Sequence, residues 1–197
     1  VMGLPPFPLP PDDFSQRQLP VIETPGPWLR LNKTGHLSSL HFDRSGSGRF
    51  DGPNQGYGLL YVGDECSTFI ECFGRTFDGA VTVTALRNRN LFRIRSDRAL
   101  LLADLTGPAL VRIGIDARIS SGDYEYCRTW GQAIWEHPQG VDGIRYRSRH
   151  DDSVYSVGLF DRVRNHLQED NLGNLYDDNS SCLGEILEHY DYALIQE

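Results

Sequence analysis

The apolar residues of this chain come in short runs, and their spacing changes between two and 3.6 as glycine or proline separates one run from the next. A period of two puts alternate side chains on one face of a strand, and a period of 3.6 puts them on one stripe of a helix. Short strands mixed with a few helices, in no regular order, specify an α+β domain of small mixed or antiparallel sheets with flanking helices. Residues 28–33 and 59–62 read as strands. Asp64 is placed to cap a helix running to Phe77, with Phe69, Ile70, Phe73 and Phe77 at helical spacing. Residues 81–86 alternate as a half-buried strand does, and 90–95 and 99–105 form two more around Ser96 and Asp97. Thr106, Gly107 and Pro108 make a break. Asp123 caps a helix to His137, with Tyr126, Trp130, Ala133, Ile134 and His137 on one side, ended by Pro138 and Gly140. Strands follow near 144–147 and 154–160. A last helix, capped by Ser180, offers Leu183, Ile186, Leu187 and Tyr190 to the core or to a homodimer.

Eight of the eleven prolines lie in the first 27 residues. Proline fixes φ and has no amide donor, which excludes this segment from helix interiors and inner strands. It reads as a proline-rich arm, 1–27, lying over the surface, a sheet edge or a partner, ahead of a domain at 28–197. Between 41 and 57, Gly46, Gly48, Gly52, Pro53 and Gly56 mark a loop of several turns. A chain of 197 residues can bury a real core in one domain.

No apolar run approaches the roughly 18 residues of a membrane span. Val1-Met2-Gly3-Leu4 lacks the basic start and apolar stretch of a secretory signal, so a cytoplasmic protein is expected. The net charge of −8 disfavours nucleic acid and membrane surfaces as partners. Cys66, Cys72, Cys127 and Cys182 form no C-x-x-C pair and have no histidine at zinc-ligand spacing. They read as reduced side chains, and no metal is implied.

One constellation carries chemistry. Gly48-Arg49-Phe50-Asp51, then Tyr61, then Ile70-Glu71 and Asp142-Gly143-Ile144-Arg145-Tyr146-Arg147-Ser148-Arg149 set arginines, an aromatic hydroxyl, a carboxylate and a serine on short elements beside glycine turns. Lys33 is the only lysine among 19 basic residues. Arginine grips phosphate with a two-pronged fork, where lysine is a point charge. Such a set suits an anionic, sugar-bearing molecule.

These blocks resemble the RES domain family, named for its arginine, glutamate and serine, over residues 28–162. Thr106-Gly107 and the helix start at Asp123-Tyr124 fit as well. The resemblance implies a fold similar to that of ADP-ribosyltransferase toxins and an enzyme that consumes NAD+, by phosphorolysis or hydrolysis. It also implies the toxin half of a pair neutralised by an antitoxin of the Xre type. By motif, the first arginine falls on Arg30, the second on Arg49, the tyrosine on Tyr61, the glutamate on Glu71 and the serine on Ser148. Tyr57, Arg147 and Arg149 are alternates for secondary contacts. On this reading Glu71, Arg30 and Ser148 are catalytic, while Arg49 and Tyr61 bind substrate. NAD+ is substrate rather than cofactor, with inorganic phosphate as a candidate co-substrate.

Oxidised nicotinamide leaves ribose as a neutral base and makes an oxocarbenium-like centre. A fixed carboxylate stabilises that growing charge. Guanidinium forks suit the diphosphate, and a tyrosine ring suits the pyridinium. Transfer of ADP-ribose to a protein and a non-catalytic interaction module are the alternatives.

Overall fold

The computed structural model describes residues 6–75 and 79–196. The strands are β1 (Val21–Thr24), β2 (Trp28–Lys33), β3 (Leu59–Gly63), β4 (Ala80–Thr82), β5 (Arg89–Ser96), β6 (Leu100–Leu105), β7 (Gly143–Arg147), β8 (Tyr155–Phe160), β9 (Leu167–Asn174) and β10 (Ala193–Ile195). The helices are α1 (Glu65–Phe73), α2 (Val83–Arg87), α3 (Pro108–Ile113), α4 (Arg118–Ser121), α5 (Tyr124–Trp135) and α6 (Ser180–Tyr190). Eight strands join in one sheet, ordered β1-β6-β7-β8-β3-β2-β5-β9, while β10 and β4 form a two-stranded sheet. Only the β6–β7 pair is parallel in the large sheet. The expected α+β class with flanking helices is present, with most of its strands gathered into a single large sheet.

Both faces of that sheet are covered. Along β3, Leu59 and Tyr61 pack toward one cluster, while Leu60 and Val62 pack toward the other, as a pleated strand requires. The first cluster lies under α5, which buries Tyr126, Cys127, Trp130, Gly131 and Ile134 along one stripe. Trp130 and Ile134 are fully buried, and a side chain of that kind stabilises by roughly 1.5–3 kcal/mol when removed from water. Asp123 caps the helix as expected, its side chain accepting from the Glu125 amide at 2.7 Å. A third cluster joins α1, α6 and the β4 region through Phe69, Val81, Leu86, Leu183 and Ile186. Leu187 and Tyr190 pack against it, so the apolar face of α6 serves the core.

Residues 6–27 are integrated with this core. Phe14 and Leu19 are buried, the Phe14 ring meets Trp130 edge-on at 5.2 Å, and Trp130 Nε1 donates to the Pro8 carbonyl at 2.8 Å. Pro20 and Pro25 bracket β1, which pairs only with β6 at the sheet's edge, where missing donors cost least. At the start of β6, Asp142 accepts both arms of the Arg98 fork at 2.7 Å and the Leu101 amide at 2.8 Å.

Several elements differ from expectation. Alternation over 81–86 predicts a strand, but only β4 is extended. Thr82 then accepts from the Ala85 amide at 3.1 Å and caps α2. Helix α1 ends at Phe73, with Gly74 as its cap, and the expected Phe77 lies outside the described residues. Asn179, rather than Ser180, occupies the cap position of α6. The short helices α3 and α4 and the strands β9 and β10 were not expected. The four cysteines are free thiols. Among the described residues no helix is long and apolar enough to cross a membrane.

Candidate active site

The 48–51 loop is built first, because the rest of the site leans on it. Asp51 accepts from the Gly48 amide at 2.6 Å and from the Tyr61 hydroxyl at 2.9 Å, and the same hydroxyl accepts from the Phe50 amide at 2.9 Å. A Cβ on Gly48 would lie 2.4 Å from Asp51 Oδ1 and 2.7 Å from the Tyr61 hydroxyl, so glycine is required for this closure. Arg128 Nε on α5 donates to the Gly48 carbonyl at 3.0 Å. Gly131 lets α5 approach, since a Cβ there would meet the Phe50 carbonyl at 2.8 Å. Burial pushes the Asp51 carboxyl up despite these donors. Burial also drives the Tyr61 hydroxyl well above its ordinary value, which keeps it a donor.

Beside the loop lies a cleft of about 470 Å³, walled by Arg30, Arg49, Tyr61, Glu71, Tyr146 and Arg149 among others. That volume lies within the usual range for small-molecule sites. Two of its guanidiniums are anchored but incomplete. Arg30 Nη1 donates to the Tyr61 carbonyl at 2.9 Å, while its Nε is buried with no acceptor among the described residues. Arg49, only 6% exposed, donates from Nη1 to the Gly122 carbonyl at 3.0 Å and stacks over the Tyr124 ring at 4.8 Å. Its Nη2 is buried and has no acceptor among the described residues either. Burial pulls the Arg30 pKa down, opposed by Asp43 and Glu169, yet a guanidinium stays charged at neutral pH. Buried cationic donors without an acceptor are costly, and both residues wall a cleft that suits an anionic ligand.

The carboxylate comes from α1. Asp64 caps this helix by accepting from the Ser67 amide at 2.7 Å. Thr68 Oγ1 ties it to the Leu29 carbonyl of β2 at 3.1 Å, and Ser67 Oγ meets Ser156 Oγ of β8 at 2.8 Å. Phe69 and Ile70 turn into the core, and the next residue, Glu71, turns to the cleft. Ser148, just beyond β7 and 2% exposed, donates from Oγ to Glu71 Oε1 at 2.7 Å. The same Oγ accepts from the His150 amide at 3.2 Å, which directs its proton toward the carboxylate. Among the described residues Glu71 Oε2 has no such donor.

The fold thus brings Arg30, Arg49, Tyr61, Glu71 and Arg149 to one cleft, with Ser148 buried behind Glu71 and bonded to it. Tyr57 and Arg147 are corrections. Tyr57 is a core residue, 1% exposed, with its hydroxyl donating to the Phe50 carbonyl at 2.6 Å and its ring stacked on Trp135 at 5.2 Å. Arg147 falls on the opposite side of β7 from Tyr146 and Ser148, where it stacks on Tyr155 at 4.1 Å and donates to the Ser153 carbonyl.

Sequence reasoning missed Arg75 and His150, and gave no role to Tyr124, Asp51 or Tyr146. Arg75, just past the end of α1, also walls the cleft. Burial lowers the His150 pKa, with the Glu71 charge opposing and Arg149, Arg75 and Arg49 reinforcing. Burial, then the Glu71 charge, pushes the Tyr146 hydroxyl up. Tyr146 and Asp51 stand inside the quoted motif blocks, which was the available signal for both.

Fold and cleft together define an α+β domain in which arginine forks surround a serine-bound glutamate. The sequence pattern of the RES domain spans residues 27–175, more than half of the chain, and the chain belongs to the RES domain family. It is 26% identical to the probable toxin y4kH of Sinorhizobium fredii (strain NBRC 101917 / NGR234) over 116 residues, 58% of this chain and 90% of that protein. Its fold is similar to one in the crystal structure of the M. tuberculosis MbcT-MbcA toxin-antitoxin complex. The TM-score is 0.60 at 19% identity, covering 78% of this chain and 87% of that one.

Proposed function

We propose that this RES domain is a cytoplasmic toxin that cleaves the nicotinamide–ribose bond of NAD+, with phosphate or water as acceptor. The observation that carries this reading is the set of guanidiniums, Arg30, Arg49 and Arg149, that line one cleft with Glu71, whose carboxylate accepts the Ser148 hydroxyl. The guanidiniums hold the diphosphate. The Tyr61 ring faces the pyridinium. Ser148 fixes one oxygen of Glu71, and the other meets the ribose hydroxyls and stabilises the oxocarbenium-like centre. The C–N bonding pair leaves with nicotinamide, which needs no proton. The acceptor oxygen then bonds to the anomeric carbon: water releases one proton to solvent as it does so, and phosphate attacks through an unprotonated oxygen. The products are nicotinamide with ADP-ribose 1''-phosphate or with ADP-ribose.

Membership in the family, and likeness to a probable toxin and to a toxin-antitoxin complex, support a partner protein that silences the activity. We assign that role to an antitoxin of the Xre type. Purified protein incubated with NAD+, with and without inorganic phosphate, tests the chemistry through its products. A phosphorylated ADP-ribose formed only with phosphate identifies phosphorolysis, and free ADP-ribose identifies hydrolysis. Labelled protein bands would identify ADP-ribose transfer instead. No release of nicotinamide under any condition would overturn the reading.

A further inference from the structure

Helix α6 lies beyond residue 175, where the RES pattern ends, yet it reaches the turn that carries Ser148. The Tyr190 hydroxyl, on its last residue, donates to Asp151 Oδ2 at 2.7 Å. Asp151 Oδ1 accepts from the Ser153 amide at 2.9 Å and from the Ser153 hydroxyl at 2.6 Å. The Val154 amide closes on the Asp151 carbonyl at 3.3 Å, and the Ser148 amide on the Val154 carbonyl at 3.2 Å. Inside this closed turn the His150 amide donates to Ser148 Oγ, and Ser148 Oγ donates to Glu71. An unbroken series of hydrogen bonds and backbone therefore runs from α6 to the carboxylate.

We propose that Tyr190 is a positioning residue: its hydroxyl holds Asp151, Asp151 holds the 148–154 turn, and the turn aims Ser148 at Glu71. Asp151 is well shielded, with its side chain 14% exposed. Burial alone would raise its carboxyl, but the donors from Ser153 and Tyr190 outweigh that and hold it below its ordinary value. The Tyr190 ring is itself set by the core, parallel to Phe69 of α1 at 6.4 Å. One helix thus braces both the carboxylate's helix and the serine's turn.

The catalytic half of this inference rests on the proposed NAD+ cleavage, so two readouts are needed. Hydrogen exchange in the ligand-free protein reads the latch without any activity. Tyr190→Phe is expected to accelerate exchange at the His150 and Val154 amides while far-UV circular dichroism stays unchanged. Turnover of NAD+ reads the consequence, with kcat falling on the order of 10–100-fold and KM changing by less than about twofold. In a Ser148→Ala background the same substitution is expected to change kcat by less than about twofold, because its route to Glu71 is already cut. A purely structural tyrosine would lower activity equally in both backgrounds, and that result overturns the proposal. So does unchanged exchange at both amides. If Tyr190→Phe does not fold, Asp151→Ser is measured in its place with the same expectations. A wild-type protein that leaves NAD+ intact would sink the functional reading, while the exchange data would still decide the latch.

Discussion

Arg49 separates ligand binding from folding more sharply than any other residue of the cleft. Its guanidinium is buried and donates to neutral groups, the Gly122 carbonyl and the Cys127 sulfur, with no carboxylate partner among the described residues. Replacement by methionine, of similar length, removes one charge-assisted bond to the Gly122 carbonyl, a loss of roughly 1.5–3 kcal/mol. It also removes the contact with Tyr124, about 0.5–2 kcal/mol. Against this, the several kcal/mol needed to keep an uncompensated cation with an unsatisfied donor out of water are recovered. These contributions nearly cancel, so the ligand-free variant is expected within about 2 kcal/mol of wild type in either direction. Ligand binding has no such compensation. Each lost bond from guanidinium to phosphate weakens binding by roughly 1.5–3 kcal/mol, which is about 10–150-fold in Kd. Thermal unfolding with and without NAD+, paired with calorimetric titration of ADP-ribose, measures both quantities. An unfolded Arg49→Met protein, or one that binds ADP-ribose as tightly as wild type, would make Arg49 a structural residue and refute the reasoning.

Three further outcomes are expected. Glu71→Gln keeps the shape and an acceptor for Ser148 but loses the charge, so NAD+ turnover should fall about 10²–10³-fold with little change in Tm; full turnover would remove Glu71 from the chemistry. Gly48→Ala drives a methyl group into Asp51 and Tyr61, and should cost roughly 1–3 kcal/mol in a chemical melt and weaken ligand binding as the loop opens. Asp142 is held below its ordinary 3.8 because the Arg98 fork and the Leu101 amide together outweigh the upward push of burial. Its native pKa is therefore below its unfolded one. Its contribution is complete above the ordinary carboxylate range and is lost as pH falls through the native value. Asp142→Asn should then cost about 1–2 kcal/mol at pH 7, allowing for the 41% exposure of Arg98, and the gap from wild type should narrow in melts below pH 4.

What the sequence determined alone is local. The stripe of Tyr126, Trp130 and Ile134 behind the Asp123 cap specified α5, because a period of 3.6 over three turns leaves no other way to bury those rings. The short apolar run of β3 and the glycines between 41 and 57 were legible for the same reason: each depends on near neighbours. Residues 81–86 misled, because six alternating positions are too few to outweigh a threonine cap. Strand β9 is largely polar and was invisible, since it exists only by pairing with β5.

At the site, the RES blocks pointed to Glu71, Ser148 and the arginines. Only the folded chain decided that Tyr57 is a core ring, that Arg147 faces away, and that Arg75 and His150 belong near the carboxylate. Glu71 and Ser148 are 77 positions apart, yet a 2.7 Å bond joins them. Periodicity records which face a side chain takes. Which distant side chain it meets there depends on the order of strands across the sheet, and that order is set by packing the whole chain at once.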